Sequence, residues 1–200
     1  MSDKSKSDKL NHNIIRENNL TYNDYASIDD GNYYELSGGQ LELMSPAPSV
    51  THQFISFEIQ KNITQSCESD YIILYAPVDM ILSSTEVRQP DLVLINRKRI
   101  GIISKRGIEG APDLVVEILS PSTLKRDKID KLKTYAIFRI PEYWIVEPDT
   151  GVLEQHILHG DQYNLVDIFQ KDDLVNSPNI PCISFTMAAV MENIPPLSDE

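Results

Sequence analysis

Three short stretches in the middle of the chain decide the fold: RQPDLVLI at 88–95, PDLVVEILSPST at 112–123 and RDKIDKLKTYA at 126–136. The first two are apolar and rich in Val, Ile and Leu, which predicts two buried strands, and the third predicts a basic helix. Both predicted strands carry acidic residues, and a carboxylate on a buried strand is costly unless something binds it. A divalent cation is the usual partner of such carboxylates, and a nearby lysine suits chemistry on a phosphate.

The acidic residues of the two predicted strands differ in what they can bind. Side chains alternate along a strand, so Asp113 and Glu117 share one face, but about 13 Å separates them, too far to bind one ion together. We interpret Asp113 as a structural residue at the beginning of its strand, whereas Glu117 lies deep in an apolar run and needs a partner. If the two strands are neighbours, about 4.8 Å apart, Asp91 and Glu117 can converge on one cation. Two carboxylates completed by water and phosphate oxygens are typical ligands of Mg²⁺, and Mn²⁺ is the alternative.

Helices and strands are predicted on both sides of this central segment. A hairpin is predicted at 33–46, where Gly38 and Gly39 supply the positive φ that a tight turn needs. A helix is predicted at 49–67 because isoleucines recur every fourth residue. The other predicted elements are one bent strand or two strands at 71–82, a helix at 124–138 with Ile129, Leu132 and Ala136 as its apolar stripe, a hairpin at 141–158, a strand at 161–169 and a closing helix at 184–194. Together they predict an α/β or α+β fold with a mixed sheet flanked by helices.

Charge is distributed unevenly along the chain. The net charge of −12 argues against a general nucleic-acid binder. Residues 88–139, however, contain 12 Lys and Arg against 6 Asp and Glu, while the rest of the chain contains 6 basic and 24 acidic residues. The positive segment therefore coincides with the candidate site, and its side chains either contact a nucleic-acid backbone or form a solvated basic face. The basic residues considered for backbone contact are Arg97, Lys98, Arg99, Lys105, Arg106, Lys125 and Arg126.

Composition narrows the class of protein. With 41% hydrophobic and 24% charged residues, the chain resembles an ordinary globular protein. No apolar run approaches the roughly 20 residues that cross a bilayer, and the N-terminus is polar without an apolar signal core, which predicts a cytoplasmic protein with no membrane partner. Cys67 and Cys182 do not form a zinc-type cluster and are predicted to be small, partly buried thiols rather than a disulfide.

The motifs reached so far resemble a known group of proteins. Pro-Asp, an acidic residue on the next strand and a lysine describe the PD-(D/E)xK nuclease superfamily, and the chain looks more closely like the Uma family of restriction-endonuclease-like proteins. The pieces that carry the resemblance are YYELSGGQLELMSPAPSVTHQ, QPDLVLI, PDLVVEILSPST, the D-x3-K-x3-Y of 127–135 and EYWIVEPD, in the family's order. The resemblance implies a restriction-endonuclease-like core with an added N-terminal β-hairpin, DNA as the substrate and a homodimer. The expected boundaries are a flexible N-terminal tail or arm at 1–20, one domain at 21–193 and a C-terminal tail at 194–200.

The chain departs from the superfamily pattern at one position. Leu119 stands where the lysine two residues after Glu117 is expected, and a leucine cannot offset charge on a phosphate. The resemblance suggests that a lysine on the following helix takes this role, with Lys131 preferred over Lys128. Asp127, Lys131 and Tyr135 lie four residues apart and share one stripe, so the two outer residues would hold the lysine by hydrogen bonding. The alternative for Lys131 is a plain ion pair with Asp127.

Two further residues come from the resemblance, and three functional classes stay open. Glu35 is expected to be an extra acidic ligand, often through water, or else an exposed hairpin residue. His52 would orient water or contact a phosphate, or else be a hydrogen-bonded core histidine. The leading hypothesis is Mg²⁺-dependent hydrolysis of DNA phosphodiester bonds by Asp91, Glu117 and Lys131. The alternatives are a non-catalytic or regulatory binding protein on a nuclease-like scaffold and a small-molecule hydrolase, which the lack of a glycine-rich phosphate loop disfavours.

Overall fold

The computed structural model describes residues 14–15, 19–44 and 47–197, and the account below concerns these residues. The strands in chain order are β1 (Ile14–Ile15), β2 (Tyr34–Ser37), β3 (Gln40–Leu43), β4 (Tyr71–Tyr75), β5 (Met80–Ser83), β6 (Glu86–Arg88), β7 (Leu92–Asn96), β8 (Ile108–Glu109), β9 (Leu114–Ile118), β10 (Glu142–Glu147), β11 (Val152–His159), β12 (Gln162–Phe169), β13 (Leu174–Val175) and β14 (Phe185–Thr186). The α-helices are α1 (Tyr22–Ala26), α2 (Val50–Cys67), α3 (Leu132–Ile137) and α4 (Met187–Met191). A 3₁₀ helix spans Arg97–Ile102, and a π-helical segment spans Arg126–Lys131.

A six-stranded mixed sheet forms the centre of the fold, in the order β12-β11-β10-β9-β7-β4. Strands β9 and β10 run parallel, and every other neighbouring pair is antiparallel. One face packs against α2 and the C-terminal segment, where Leu114 and Val116 join the core with Ile59. The other face packs against α3, where Val115 lies in the same cluster as Tyr135. Coverage on both faces explains the near-continuous apolar run of β9, and the predicted mixed sheet flanked by helices is confirmed.

The predicted hairpin, formed by β2 and β3, belongs to a second six-stranded sheet. Its order is β1-β3-β2-β6-β5-β8, and β2 and β3 pair antiparallel with Ser37 opposite Gln40. Gly38 and Gly39 both have positive φ, 55° and 78°, as a type I′ two-residue hairpin turn requires at its two central residues. Strand β6 of the second sheet is followed in the chain by β7 of the central sheet, and β2 pairs with β6. Strand β2 therefore lies near the end of the central sheet where β7 begins.

Helix α2 matches its prediction closely. Ser49 caps it by accepting a hydrogen bond from the His52 backbone N–H at 3.2 Å, and the helix ends at Cys67. Ile55, Ile59 and Ile63 are all fully buried against the central sheet, as their spacing predicts.

The predicted helix at 124–138 is confirmed, and two members of its predicted apolar stripe are placed as expected, with Ala136 buried and Leu132 partly buried against the core. The segment begins as a π-helical turn and continues as α3. The prediction that Ile129 belongs to the buried stripe is wrong, since its side chain is 44% exposed, whereas Asp127, Lys131 and Tyr135 are buried. The physical reason is Glu117. Leaving its buried carboxyl group without a cationic and a hydroxyl partner costs more free energy than exposing one isoleucine to solvent.

The C-terminal segment corrects the prediction for the two cysteines. Cys67 and Cys182 are joined in a disulfide, with their Cα atoms 5.3 Å apart and 115 positions apart in sequence. The end of α2 packs against the C-terminal segment in one apolar cluster, which brings together two thiols that sequence spacing alone does not relate. The predicted tails at 1–20 and 194–200 lie partly outside the described residues, and Ile14–Ile15 pairs with β3. Among the described residues, no helix is long and apolar enough to span a membrane.

Candidate active site

The predicted carboxylates meet where β7 begins and β9 ends. The two strands pair antiparallel with Leu92 opposite Val116, so the same register, carried one step further, sets Asp91 opposite Glu117. Asp91 Oδ2 accepts a hydrogen bond from the backbone N–H of Ile118 at 2.7 Å. The condition that Asp91 and Glu117 lie on neighbouring strands is therefore met.

Lys131 reaches Glu117 from the π-helical segment. Its ammonium group lies 2.7 Å from Glu117 Oε1 and 3.4 Å from Asp127 Oδ1, so it makes both the predicted contact and the alternative ion pair. Tyr135, one turn further along, donates a hydrogen bond from its hydroxyl to the same Glu117 oxygen at 2.8 Å. The prediction that Tyr135 holds Lys131 is wrong in detail, because the two side chains converge on Glu117 instead.

The π-helical geometry explains how a lysine so far along the chain reaches the strand. A π-helical turn is wider than an α-helical turn and occurs frequently at functional sites. Here it spans Arg126–Lys131 and places two charged side chains, Asp127 and Lys131, in the interior. Lys128 points elsewhere and pairs with Glu154 at 2.7 Å. Of the two lysines considered from the sequence, Lys131 is therefore the one beside Glu117.

Glu35 joins the same cluster from the hairpin of the second sheet. It is fully buried, so the alternative of an exposed hairpin residue is wrong. Its Oε1 lies 3.5 Å from the Lys131 ammonium and accepts the backbone N–H of Gln89 at 2.9 Å. Its Oε2 faces two guanidinium groups, of Arg88 at 3.3 Å and of Arg126 at 3.9 Å. Glu35 thus lies within 4 Å of three cationic side chains of the site, those of Lys131, Arg88 and Arg126.

His52 contacts two of the groups expected to bind a cation. Its Nε2 lies 3.1 Å from Asp91 Oδ2 and 3.1 Å from the backbone carbonyl oxygen of Ile118. The ring is buried, and its Nδ1 has no hydrogen-bond partner among the described residues. The alternative of a buried, hydrogen-bonded histidine is therefore what the structure shows, with Asp91 as one partner, and a role for His52 in chemistry stays a prediction.

Burial and crowding set the protonation of the cluster. Burial raises the pKa of Glu117 to about 8, with Lys131 opposing the rise and Asp127, Asp91 and Glu35 adding to it. Burial also acts to raise the pKa of Glu35, but Lys131, Arg88 and Arg126 outweigh it and lower the value to about 2. The pKa of Lys131 is raised despite burial because Glu117, Glu35 and Asp127 surround it. The pKa of His52 is also raised, since Asp91 outweighs the opposing effect of burial.

Asp113 and the surface cations are separate from this cluster. Asp113 accepts from the backbone N–H of Asn96 at 2.6 Å and from Arg99 at 2.8 Å, which confirms its structural interpretation. Arg97 and Arg106 are also engaged on the protein itself, with the Glu68 carbonyl and with Glu109. Fewer of the basic side chains are therefore free for a nucleic-acid backbone than their number in the sequence suggests.

Arg88 is the residue of the site that sequence reasoning missed. Its side chain is 1% exposed and contacts Glu86 at 2.7 Å, Ser37 at 2.6 Å and Glu35. The available signal was an arginine directly after Val87 on a short strand leading into the Pro-Asp pair, because an arginine beside apolar strand residues is buried only when carboxylates receive it.

The donor set fits a divalent cation. In the described part of the chain, no group of three or more His, Cys, Asp or Glu side chains is arranged to hold an ion. Two carboxylates, Asp91 and Glu117, together with the Ile118 carbonyl, match a hard cation that takes its remaining ligands from water and phosphate.

Comparisons with known proteins bear on the fold and on the family of the chain. A crystal structure described as a putative nuclease belonging to DUF820, from Anabaena variabilis ATCC 29413, matches with a TM-score of 0.69 and 16% sequence identity, and covers 86% of this chain and 98% of that chain. At this identity the match supports the restriction-endonuclease-like fold alone. None of the curated proteins compared gives a significant match. The family model Uma2, described as "Putative restriction endonuclease", matches residues 21–188, and the chain therefore belongs to the Uma2 family.

Proposed function

We propose that the protein is a Mg²⁺-dependent endonuclease that hydrolyses phosphodiester bonds of DNA. The observation that carries the proposal is the contact of 2.7 Å between Lys131 and Glu117, beside Asp91 at one end of the central sheet. It supplies from a helix the lysine that Leu119 cannot provide. Membership of the family supports a nuclease activity. The Mg²⁺ ion and the DNA substrate are our own additions to that activity.

Asp91 and Glu117 would hold the cation, with the carbonyl oxygen of Ile118 as a further ligand. When bound, Mg²⁺ polarises the scissile phosphate and lowers the pKa of its water. Asp91 is the accessible member of the pair, with 18% of its side chain exposed, whereas the Glu117 side chain is 4% exposed. His52 would orient water or contact a phosphate from its place beside Asp91.

Lys131 acts as a cation rather than as a base. Its raised pKa keeps the ammonium protonated at neutral pH, so it cannot accept a proton from water. A protonated lysine next to Glu117 instead offsets negative charge that develops on a phosphate. Asp127 and Glu35 keep it in place at 3.4 Å and 3.5 Å, and Tyr135 keeps Glu117 in place.

The proposed setting follows from charge and symmetry. Because residues 88–139 carry the largest excess of basic residues in an acidic chain, DNA would approach along this segment. We include a homodimer in the proposal, since two copies of one site are needed to cut both strands of a duplex.

The test is a cleavage assay with Mg²⁺ or Mn²⁺ on plasmid and linear DNA. Glu117→Ala and Lys131→Ala should each lower the rate by about 100-fold or more, while Lys128→Ala, which removes a lysine paired outside the cluster, should stay near the parent rate. Thermal melting establishes that each variant is folded. Parent-level cleavage by folded Glu117→Ala contradicts the assignment.

One observation favours a second candidate, a non-catalytic or regulatory binding protein. The Lys131 side chain is only 3% exposed and already has three carboxylate partners, so the cluster is also a self-satisfied buried network. This candidate predicts DNA binding, or binding to another partner, without cleavage in either cation. Steeply salt-dependent DNA binding together with cleavage supports the nuclease.

A further inference from the structure

Arg126 is the cation of the candidate active site with the fewest partners. It is the first residue of the π-helical segment, and its guanidinium group lies 3.9 Å from Glu35 Oε2, beyond hydrogen-bond distance. Within the described residues the guanidinium group donates no hydrogen bond, and its Nε is buried without a partner. A buried N–H group without an acceptor costs free energy, so a ligand that accepts from Arg126 is favoured here. The proposed cleavage mechanism gives this side chain no role.

The other two cations around the cluster are already paired and are shielded from solvent. Arg88 contacts Glu86 at 2.7 Å, and Lys131 contacts Glu117 at 2.7 Å. The side chains of these two cations are 1% and 3% exposed, whereas the Arg126 side chain is 20% exposed. A phosphate that arrives from solvent can therefore reach Arg126 directly, while Lys131 lies behind its carboxylate partners.

Glu35 joins Arg126 to the rest of the candidate active site. Arg126 and Lys131 are the first and last residues of the π-helical segment, five apart, which is the hydrogen-bonding interval of a π-helix. They face different oxygens of one carboxylate, Arg126 at Oε2 of Glu35 and Lys131 at Oε1. The same Oε1 accepts from the backbone N–H of Gln89, two residues before Asp91. The Asp91 side chain is 18% exposed, so a proposed cation ligand and Arg126 both reach solvent at this end of the sheet.

Glu35 does not need Arg126 as a partner. Its carboxylate is already surrounded by Arg88 at 3.3 Å, Lys131 at 3.5 Å and the backbone N–H of Gln89 at 2.9 Å. Within the described residues, the N–H groups of Arg126 are therefore left to donate to a ligand. An arginine presents these groups as a planar fork that matches two oxygens of a phosphate, and it stays charged at any working pH.

We propose that Arg126 binds the phosphate that is cut, with its N–H groups donating to the non-bridging oxygens. Cationic donors at these oxygens stabilise the negative charge that develops during phosphoryl transfer. The inference rests on the proposed nuclease function and assigns the direct contact with the phosphate to Arg126. Lys131 then contributes through its charge and by holding Glu117, without touching the substrate.

The first measurement uses inorganic phosphate as the ligand and needs no cleavage. Urea unfolding in Mg²⁺ is followed as phosphate replaces chloride at constant ionic strength, which gives the apparent phosphate affinity. The matched control is Lys133→Met, at an exposed lysine of α3 that makes no ion pair within the described residues. Arg126→Met should bind phosphate about tenfold more weakly than the parent and the control, and Arg126→Lys should recover only part of the loss because lysine lacks the planar fork. No stabilisation of the parent by phosphate, or equal affinity of the parent and Arg126→Met, overturns the inference.

The second measurement is single-turnover cleavage of DNA in Mn²⁺ at saturating protein, where weaker DNA binding does not limit the rate. Folded Arg126→Ala should cleave about 100-fold more slowly than the parent, and Lys133→Met should keep the parent rate. Guanidinium ions added to the buffer should restore part of the Arg126→Ala rate, because they can occupy the space left by the side chain. A purely structural role predicts no such rescue. A rate within a few-fold of the parent, or a loss that guanidinium does not restore, contradicts the assignment.

The two measurements separate this inference from the proposed function. Phosphate binding that depends on Arg126, together with no cleavage by the parent, counts against the nuclease and supports the phosphate contact. Cleavage by the parent that Arg126→Ala retains counts against the phosphate contact and leaves the nuclease proposal standing.

Discussion

Replacing Glu117 by glutamine tests the electrostatics of the site without any substrate. In the folded protein the pKa of Glu117 is raised from 4.5 to about 8, chiefly by burial. Between these two values the unfolded chain has released the proton and the folded chain retains it, so the stability of the parent falls as the pH rises through this window. The full difference corresponds to about 5 kcal/mol, and relaxation around the buried pair should reduce the measured value to about 2 to 3 kcal/mol.

The assay is urea unfolding in EDTA at about pH 5 and about pH 9 for the parent, Glu117→Gln and the control Glu147→Gln. The parent and the control should lose about 2 to 3 kcal/mol more than Glu117→Gln across this range. Parallel pH profiles for the parent and Glu117→Gln refute the reasoning. Added Mn²⁺ should stabilise the parent more at about pH 9 than at about pH 5, because a cation binds the ionised carboxylate.

Three further predictions follow from named contacts. Lys131→Met should lower the free energy of unfolding by about 3 to 5 kcal/mol because it leaves buried carboxylates unpaired, whereas Lys128→Met should change it by less than about 1 kcal/mol; urea unfolding at neutral pH compares them, and equal losses contradict the burial argument. Arg88→Met should destabilise the protein by a similar 3 to 5 kcal/mol, about as much as Lys131→Met, and Glu35→Gln in that background should recover part of the loss. Cys182→Ser should cost about 2 to 4 kcal/mol, and thiol titration of the denatured parent without reductant should detect no free cysteine.

The sequence was most informative where one periodic pattern covers a whole element. The isoleucines of α2 and the alternating hairpin around Gly38 and Gly39 predicted their elements correctly, because local backbone preference and burial agree there. The pairing of Asp91 with Glu117 was predicted only on the condition that the two strands are neighbours, and the antiparallel pairing of β7 with β9 meets that condition.

What could not be predicted depends on contacts between distant segments. Lys131 is buried and Ile129 is exposed because the Glu117 side chain points toward the helix that carries both residues. The apolar pattern of the helix alone does not contain this information. The position of Glu35 depended on a second sheet whose pairing with β6 has no short-range signal. The disulfide joins residues 115 positions apart, and only the packing of the C-terminal segment on α2 relates them.

The placement of the lysine on a helix has a consequence for how such a site can change over generations. Leu119 is 2% exposed and belongs to the same apolar cluster as Tyr135 and Ile140. A lysine at position 119 would bury a second ammonium group in that cluster, on the same face of the strand as Glu117, whose carboxylate is already paired with Lys131. The two arrangements of the lysine are therefore separated by an unstable intermediate sequence. The core around Leu119 therefore opposes a lysine at that position for as long as Lys131 is paired with Glu117.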